Sequence, residues 1–327
     1  MVCQDKDWQN SERRVRRMNI LRKFTSFIPR TAYRLYFDVS HCNLKCPMCP
    51  RGGVNGLQNP DKGLMGFDLF KRIVDKFATE RVWIDGIMIG NWGEPLLNPD
   101  LPRMISYAKS HPTAMKPKSR VSINTTLNRL PSPLELLKSG VDLIAISMSG
   151  MTQKVYSINH RGGNIEIVLK NIMELVEIQK RKKLEKVKLR IVFHHYIYNS
   201  EDEELAKDFC VKHGLRFTVI HPSIIPVEGA INFSRDKERL GNFYRKFIDL
   251  DKEIALMKTM DYDSIKDCPL RKKRVTVNFD GQLYRCCAVF EKKHFMGSIF
   301  DFNIKDIPNI DSDICRRCAE TPISWHP

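Results

Sequence analysis

Short runs of apolar, β-branched residues alternate with helical hydrophobic periods between about residues 30 and 222. Several runs are almost continuously apolar, as expected for parallel strands that are covered on both faces. The predicted strands are 34–40, 82–90, 120–124, 141–147, 187–193 and 216–220. The pattern therefore predicts an α/β fold built on parallel strands.

The segments between these strands have the spacing of amphipathic helices. In 164–179, apolar residues recur at helical intervals. Segment 201–213 opens with acidic residues, which suit a helix N-terminus, and ends before Gly214, which suits a left-handed cap. Six strand–helix units favour an open or closed parallel barrel, that is, a partial (β/α)6 barrel of the TIM type, and a doubly wound sheet is the alternative.

The pattern changes after about residue 223. Residues 233–258 have the composition of a helix or linker, and 274–290 contains a strand, an Asp-Gly turn and a second strand, which predicts a β-hairpin. We therefore predict three parts: a basic N-terminal extension at 1–29, a barrel at 30–235 and a small hairpin-and-helix domain at 236–327.

Length and composition restrict the class of protein. The 327 residues are 42% hydrophobic, which suffices for one large and one smaller domain. No segment approaches the roughly 20 apolar residues of a membrane span, and the N-terminus lacks an apolar signal core. We expect a cytoplasmic protein, in which ten cysteines serve as metal ligands or redox groups rather than disulfides.

The net charge is +16, and basic residues concentrate in 12–23, 180–188 and 271–274. Such a field attracts phosphorylated or nucleotide-linked small molecules, nucleic acid or an acidic redox partner, although solvated helix faces are the simpler explanation. No aromatic residues interleave with these runs to stack bases, so nucleic acid is disfavoured.

The segment "HCNLKCPMCP" at 41–50 holds Cys42, Cys46 and Cys49 in the spacing C-x3-C-x2-C. A structural zinc site needs four ligands, whereas a cubane iron–sulfur cluster with three thiolates keeps one iron open for a further ligand. The spacing therefore favours a [4Fe–4S] cluster with a vacant coordination position, and a zinc loop is the alternative.

This spacing, on the loop after the first barrel strand, resembles the radical S-adenosylmethionine (SAM) superfamily. The resemblance implies that Cys42, Cys46 and Cys49 bind the cluster, and that SAM chelates the open iron. It further implies reductive cleavage of SAM to a 5′-deoxyadenosyl radical, which takes a hydrogen atom from the substrate, and a flavodoxin- or ferredoxin-type electron donor. The cofactor supplies the difficult chemistry, and the protein supplies position and exclusion of water.

Residues 90–97, "GNWGEPLL", resemble the superfamily motif "GGEPLL", which holds the SAM amino group. Gly93, Glu94 and Pro95 match it, whereas Trp92 stands where a glycine is usual. Met48 likewise stands where the family often has an aromatic residue near the adenine, and a thioether can pack there too.

Three further positions carry weaker resemblances to SAM-binding segments. Asn124 ends the third strand, Ser147 ends the fourth, and Arg161 lies in "YSINHRGGN", which is similar to a segment that reaches the SAM carboxylate. Each could equally be an ordinary strand-end or turn residue. All lie near the carboxyl ends of strands, where barrel enzymes gather their chemistry.

The C-terminal cysteines form a second group. Cys268 and Cys286 stand in the pattern C-x12-G-x4-C, through Gly281, and Cys315 and Cys318 follow as C-x2-C. The pattern resembles the SPASM/twitch extension of the superfamily and implies one auxiliary [4Fe–4S] cluster held by these four cysteines. The shorter twitch-like version fits, since no further cysteines follow. A structural zinc ribbon is the alternative.

Three other cysteines have no assigned ligand position, and Cys3 of the N-terminal extension is one of them. Cys287 is next to a predicted ligand and could be an alternate ligand, a buried thiol or a hydrogen donor. Cys210 lies on the predicted apolar face of its helix with Leu205 and Phe209, so core packing is the expected role.

Histidines near strand ends are candidates for a general base, since their pKa is close to neutrality: His194, His195 and His221. For each of them a structural role is the simpler explanation. Asn91, Trp92 and Tyr156 are candidate substrate contacts.

The twitch-like length and basic surface favour oxidation or epimerisation of a small, anionic, sugar-like or alcohol substrate. Modification of a ribosomally made peptide is the alternative. The remaining alternative is a zinc-bearing protein that binds nucleic acid. In such a protein the "GEP" motif (Gly93, Glu94 and Pro95) would have no role.

Overall fold

A computed structural model describes residues 30–52, 57, 62–256 and 262–321. The chain divides into two compact units, Met1–Thr31 and Ala32–Pro327, and only the second is described below. The basic extension predicted at 1–29 lies outside the described residues. The boundary expected near residue 235 stays a prediction.

All six predicted strands are present, each beginning and ending within three residues of the predicted positions, and the predicted hairpin at 274–290 adds further strands. The strands are β1 (Ala32–Phe37), β2 (Trp83–Ile89), β3 (Val121–Thr125), β4 (Leu143–Met148), β5 (Lys188–His194), β6 (Arg216–Ile220), β7 (Arg274–Val277), β8 (Gln282–Tyr284) and β9 (Phe295–Ser298). The match follows from the strongly apolar character of these runs.

The strands of the described chain form one sheet in the order β6-β5-β4-β3-β2-β1-β7-β8-β9. Strands β1 to β6 are parallel, β7 joins β1 in parallel, and β8 and β9 are antiparallel. The sheet is open, so the partial barrel is confirmed. The hairpin is also confirmed, and its first strand extends the barrel sheet.

Helices connect the parallel strands and continue towards the C-terminus. They are α1 (Phe67–Thr79), α2 (Leu101–Ser110), α3 (Pro133–Lys138), α4 (Gln153–Asn159), α5 (Ile165–Lys182), α6 (Ser200–His213), α7 (Val227–Arg235), α8 (Lys237–Tyr244), α9 (Leu250–Leu256), α10 (Tyr262–Ile265), α11 (Pro269–Lys273) and α12 (Asp313–Glu320). Across the described residues, no helix has the length and apolar character needed to cross a bilayer.

The ends of the two long predicted helices have clear local causes. Asn164 caps α5 by accepting hydrogen bonds from the N–H groups of Glu166 and Ile167. Gly214 ends α6 with φ of 69°, which confirms the expected left-handed cap. Cys210 is buried, as expected, whereas Leu205 is exposed, so the apolar face of α6 is narrower than the sequence indicates.

The main hydrophobic core lies between the sheet and its helices. Leu35 and Phe37 of β1 and Ile191 of β5 belong to this core. Because side chains alternate across a strand, Arg34 and Tyr36 point to the opposite side of the sheet. We call this opposite side the inner face, since it lines the hollow of the partial barrel.

Candidate active site

The three N-terminal cysteines lie together in a loop that follows β1. The Lys45 N–H donates to the Arg161 carbonyl oxygen (3.0 Å), which fastens the loop to the segment after α4. The Cys49 N–H donates to the Cys46 carbonyl oxygen (3.1 Å), and the Leu44 N–H donates to the Cys42 Sγ (3.5 Å). Sequence spacing and tertiary contacts thus place the three thiols side by side.

Burial dominates the electrostatics of these thiols. It raises the pKa of Cys42 to about 12, and nearby Glu94 and Cys49 act in the same direction. Burial also raises the pKa of Cys46, with Cys49 and Cys42 adding to the effect, and the pKa of Cys49. Without a ligand the thiols therefore hold their protons at neutral pH, and metal binding must release them. Buried, converging thiols of this kind fit an iron–sulfur cluster.

The "GEP" motif lies directly against the cysteine loop. Any side chain at Gly93 would collide with the Ser40 carbonyl oxygen, which explains the glycine. Glu94 is 2% exposed, and its carboxylate accepts hydrogen bonds from the Thr125 Oγ1 (2.6 Å) and the Thr126 N–H (2.8 Å). Pro95 begins a short 3-10 helix. The motif therefore connects the end of β2 to the end of β3.

Asp38, which the sequence analysis missed, organises the same motif. Its buried Oδ1 accepts hydrogen bonds from the N–H groups of Trp92 (2.7 Å) and Gly93 (2.9 Å). Burial raises its pKa, and the Arg51 charge acts against this rise. Asp38 lies within the predicted strand 34–40 but directly follows β1 in the structure. A carboxylate near the end of a barrel strand is the signal that could have revealed it.

Trp92, the departure from the family motif, reaches the C-terminal part of the chain. Its indole Nε1 donates to the Val289 carbonyl oxygen (3.0 Å), and its ring meets Phe290 edge to face. The neighbouring Asn91 Nδ2 donates to the Cys287 carbonyl oxygen (2.8 Å). The loop after β2 therefore contacts both the cysteine loop and the segment that follows Cys286.

The weaker candidate SAM contacts lie around the same end of the sheet. Asn124 is on the inner face of β3, and its Nδ2 contacts the Met88 Sδ (3.0 Å). Ser147 is on the inner face of β4, opposite Val192 of β5. Arg161 lies near Cys46, whose thiolate its charge favours. The structure therefore places Arg161 next to the cysteine loop, and Asn124 and Ser147 near the carboxyl ends of β3 and β4.

The three candidate histidines do not form one group. His194 is on the inner face of β5, and burial lowers its pKa to about 4. The Nδ1 of His195 instead makes a hydrogen bond with the Glu203 carboxylate of α6 (2.5 Å), and His221 packs edge to face on His195. Tyr156 is fully buried against His160. Position favours His194 over the other two, and the catalytic role of each stays a prediction.

The four C-terminal cysteines line a single cavity. Cys268 directly precedes α11, Cys286 follows β8, and Cys315 and Cys318 lie one turn apart on α12. The remaining lining is largely apolar, with Val227, Val289 and Ile314 among it. Burial raises the pKa of Cys318 to about 12, and Cys315 and Cys268 add to the rise. A thiol-lined apolar cavity fits a metal centre with four thiolates.

Two arginines position the helix that carries Cys315 and Cys318. The Arg271 Nε donates to the Pro308 carbonyl oxygen (2.6 Å), and the buried Arg285 donates to the carbonyl oxygens of Ile307 (2.9 Å) and Pro308 (3.2 Å). These bonds hold the segment that leads into α12. Sequence reasoning did not identify either arginine.

Cys287 does not line this cavity, although it adjoins Cys286. The Arg274 Nη1 donates to its Sγ (3.2 Å), and the same guanidinium lies over the Tyr36 ring. Burial raises the pKa of Cys287, and Arg274 acts against the rise. Since Arg274 and Tyr36 are on the inner face, Cys287 faces the hollow of the barrel.

Replacing Asp38 by asparagine should weaken SAM binding at least tenfold. The amide keeps the shape of the side chain but removes the charged acceptor that holds the Trp92 and Gly93 N–H groups, a loss of about 1.5–3 kcal/mol. The measurement is calorimetric SAM binding to reconstituted protein. Asp85→Asn, which breaks only a surface pair with Lys116, is the control, and equal SAM affinity in both variants would contradict the prediction.

The family is shown by sequence comparison. Residues 37–209 match the Radical SAM superfamily. The match covers more than half of the chain, so the chain belongs to this superfamily. Its cofactors are therefore a [4Fe–4S] cluster and SAM, and the cysteine-rich C-terminus is consistent with an auxiliary cluster.

Relatives and solved structures agree with this assignment. A probable GTP 3′,8-cyclase of Methanococcus maripaludis (strain S2) is 27% identical over a 270-residue alignment, which covers 75% of this chain and 81% of the relative. Streptococcus suis SuiB bound to the precursor peptide SuiA matches with a TM-score of 0.58 at 15% identity, over 94% of this chain and 71% of SuiB. Native anSMEcpe with bound AdoMet matches with a TM-score of 0.55 at 16% identity, over 85% and 81% of the two chains. At these identities the two structures show the fold alone.

Proposed function

We propose that this radical SAM enzyme takes a hydrogen atom from a small anionic substrate, sugar-like or nucleotide-like, held on the inner face of its sheet. The observation that carries the proposal is that one sheet holds two groups of cysteines. Cys42, Cys46 and Cys49 lie in the loop after β1, and β7, which pairs with β1, lies in the chain between Cys268 and Cys286. With Cys315 and Cys318, these two cysteines line the C-terminal cavity.

Cys42, Cys46 and Cys49 are the proposed ligands of the SAM-binding cluster. When bound, the cluster and SAM supply a 5′-deoxyadenosyl radical that abstracts hydrogen from the substrate. Gly93, Glu94 and Pro95 shape the proposed site for the SAM amino group, since they contact the cysteine loop through Ser40. Asn124, Ser147 and Arg161 are the proposed contacts to the rest of SAM, and their positions around the loop support this role.

Cys268, Cys286, Cys315 and Cys318 are the proposed ligands of an auxiliary [4Fe–4S] cluster in a twitch-type domain. Four thiolates leave no coordination position for the substrate, so this group would act as an electron acceptor. A zinc ion would satisfy the same four thiols. Contact between this segment and the loop after β2, through Trp92 and Val289, supports the redox interpretation, because it keeps the two sites close.

Arginines on the inner face support an anionic substrate. Arg34 on β1, Arg190 on β5 and Arg274 on β7 all lie opposite the core side of their strands. Among the described residues, none of the three forms an ion pair with a carboxylate. Uncompensated guanidinium groups in a concave site attract phosphate or carboxylate. The name of the Methanococcus relative, which refers to GTP, agrees with a nucleotide-like substrate.

Net oxidation of the substrate is the leading reaction, and epimerisation is the second candidate. Cys287 favours the second, because its thiol faces the hollow beside Arg274 and could return hydrogen to a substrate radical. Modification of a peptide is the alternative function. The SuiB structure, at 15% identity, supports a shared fold and not a shared substrate. We expect a cytoplasmic enzyme with a flavodoxin- or ferredoxin-type donor, whose acidic surface would suit the basic chain.

Anaerobic reconstitution tests the function directly. The protein should bind about eight irons per chain, as expected for two cubane clusters. After reduction it should convert SAM to 5′-deoxyadenosine, faster with the right member of a panel of sugar phosphates, nucleoside triphosphates including GTP, and short peptides. Zinc without iron, or no 5′-deoxyadenosine under any condition, would overturn the proposal. Deuterium transfer from the substrate into 5′-deoxyadenosine identifies the position of attack.

Replacing Arg34 or Arg190 by glutamine should raise the KM of the anionic substrate about 10- to 100-fold, because each charge-assisted hydrogen bond contributes about 1.5–3 kcal/mol. Cleavage of SAM without substrate should not change, since neither arginine lies near the cysteine loop. The measurement is steady-state kinetics with and without substrate. Arg181→Gln, at the end of α5, is the matched control. A KM equal to that of the control would argue against binding on the inner face.

A further inference from the structure

A buried carboxylate in the C-terminal part of the chain lacks a partner for one of its oxygens. Glu228, in the first turn of α7, is 3% exposed. Its Oε1 accepts hydrogen bonds from the N–H groups of Phe290 and Glu291, both at 2.9 Å. Its Oε2 has no hydrogen-bond partner among the described residues. Burial raises the pKa of Glu228, so the charged form of this carboxyl is unfavourable unless a cation meets its free oxygen.

Two further side chains that can bind a metal lie close to the Glu228 carboxyl. The Nε2 of His294 is also buried without a partner in the described part of the chain, and Glu291 is 5% exposed. One ligand atom from each of Glu228, Glu291 and His294 lies within 4.8 Å of the others. Burial lowers the pKa of His294, which keeps its imidazole neutral and its lone pair available.

The donor set indicates the class of ion. Two carboxylates and one imidazole suit Zn²⁺ and its neighbours in the first transition row, whereas Ca²⁺ and Mg²⁺ prefer oxygen alone. Three protein ligands leave one position for water. Zinc ligand atoms lie about 2.0–2.2 Å from the ion, so only small side-chain movements would close this group around it.

We propose that Glu228, Glu291 and His294 bind one divalent transition-metal ion, with Zn²⁺ as the best fit, separate from the cysteine centres. The two carboxylates balance its charge. Lys293 pairs with Glu291 (2.7 Å) but is 62% exposed, so this pair contributes little and can yield to the ion.

The ion would fasten α7 to the segment that follows Cys286 and Cys287. Val227, next to Glu228, and Val289, close to Glu291, both line the cavity of the four cysteines. Glu228 also lies close enough to Cys318 to raise the pKa of its thiol. A metal bridge at this point would therefore fix one wall of the cysteine cavity without using any cysteine.

Metal analysis of the full, cluster-loaded chain tests this site without any turnover measurement, so its failure is distinguishable from failure of the proposed function. Equilibrium dialysis with Zn²⁺ should give one zinc per chain beyond the iron and sulfide. His294→Gln and Glu228→Gln should each weaken zinc binding at least tenfold, with iron and sulfide content unchanged. His213→Gln, at the end of α6, should bind zinc as the unmodified chain does.

The Lys293→Gln variant is a second, independent test, because it removes the ammonium group that competes with the metal ion for Glu291. Zinc binding in this variant should be equal to or tighter than in the unmodified chain. No zinc above background in the iron-loaded chain would overturn the proposal, as would equal zinc binding in the His294→Gln variant. If Glu228→Gln reduces iron content through misfolding, zinc binding by the His294→Gln variant alone decides whether the proposed zinc site exists.

Discussion

Replacing Cys46 by alanine should abolish SAM cleavage, reducing 5′-deoxyadenosine formation by at least about a thousandfold, because the cluster loses one of the three thiolates that its site offers. Cys46 lies between Cys42 and Cys49 in a loop that is fastened to the Arg161 carbonyl oxygen, and the charges of both neighbouring cysteines act on its thiol. Iron content should fall by about half, since the C-terminal site is unaffected. Iron analysis and product chromatography of anaerobic samples provide the measurement.

Cys210→Ala is the matched control for this result. Cys210 is 1% exposed and belongs to the hydrophobic core on one side of α6, away from both cysteine sites. Its replacement should therefore cost about 1–2 kcal/mol of stability and leave iron content and SAM cleavage unchanged. Undiminished SAM cleavage by the Cys46→Ala variant would contradict the assignment of the loop. A loss of activity in Cys210→Ala with normal iron would show that folding, rather than ligation, limits the assay.

Replacing Cys318 by alanine should distinguish the contribution of the C-terminal cysteine site from that of the N-terminal cysteine loop. Cys318 lies on α12, and its removal leaves three thiols in the C-terminal cavity. We expect iron to fall by about half, SAM cleavage without substrate to persist, and substrate product to drop by at least about a hundredfold, because the proposed electron acceptor is lost. The measurement is parallel quantification of 5′-deoxyadenosine and product.

Cys287→Ala is the control for that variant and also discriminates between the two candidate reactions. Cys287 does not line the cavity, so its loss should leave iron content unchanged. If the reaction is oxidation, product should persist. If it is epimerisation with Cys287 as the hydrogen donor, SAM should still be cleaved while the epimer is lost. Loss of iron in this variant would instead identify Cys287 as a ligand.

The two sites are connected through the loop after β2. The Trp92 N–H donates to Asp38, and the Trp92 indole donates to the Val289 carbonyl oxygen. Trp92 therefore connects the "GEP" motif that follows it to the wall of the C-terminal cysteine cavity. Trp92 is the residue that departs from the family motif. Its size has a structural reason here, because a glycine could not reach Val289 or Phe290.

The chemistry of the site could be predicted from the sequence because it depends on local spacing. Cys42, Cys46 and Cys49 lie within one loop, so eight residues of sequence already bring their thiols together. The strands could be predicted equally well, since buried parallel strands require nearly continuous apolar residues. The hairpin at 274–290 followed from its Asp-Gly turn. Family membership followed from these local features together with the "GEP" motif.

Tertiary structure alone decided which distant residues meet. It placed β7 beside β1, directed Cys287 to the inner face, and turned His195 away to Glu203 of α6. It also determined that Thr125 donates a hydrogen bond to the Glu94 carboxylate and that two backbone N–H groups donate to Asp38. The physical reason is range: spacing and periodicity act over one element, whereas strand order and side-chain direction depend on the packing of elements far apart in the chain.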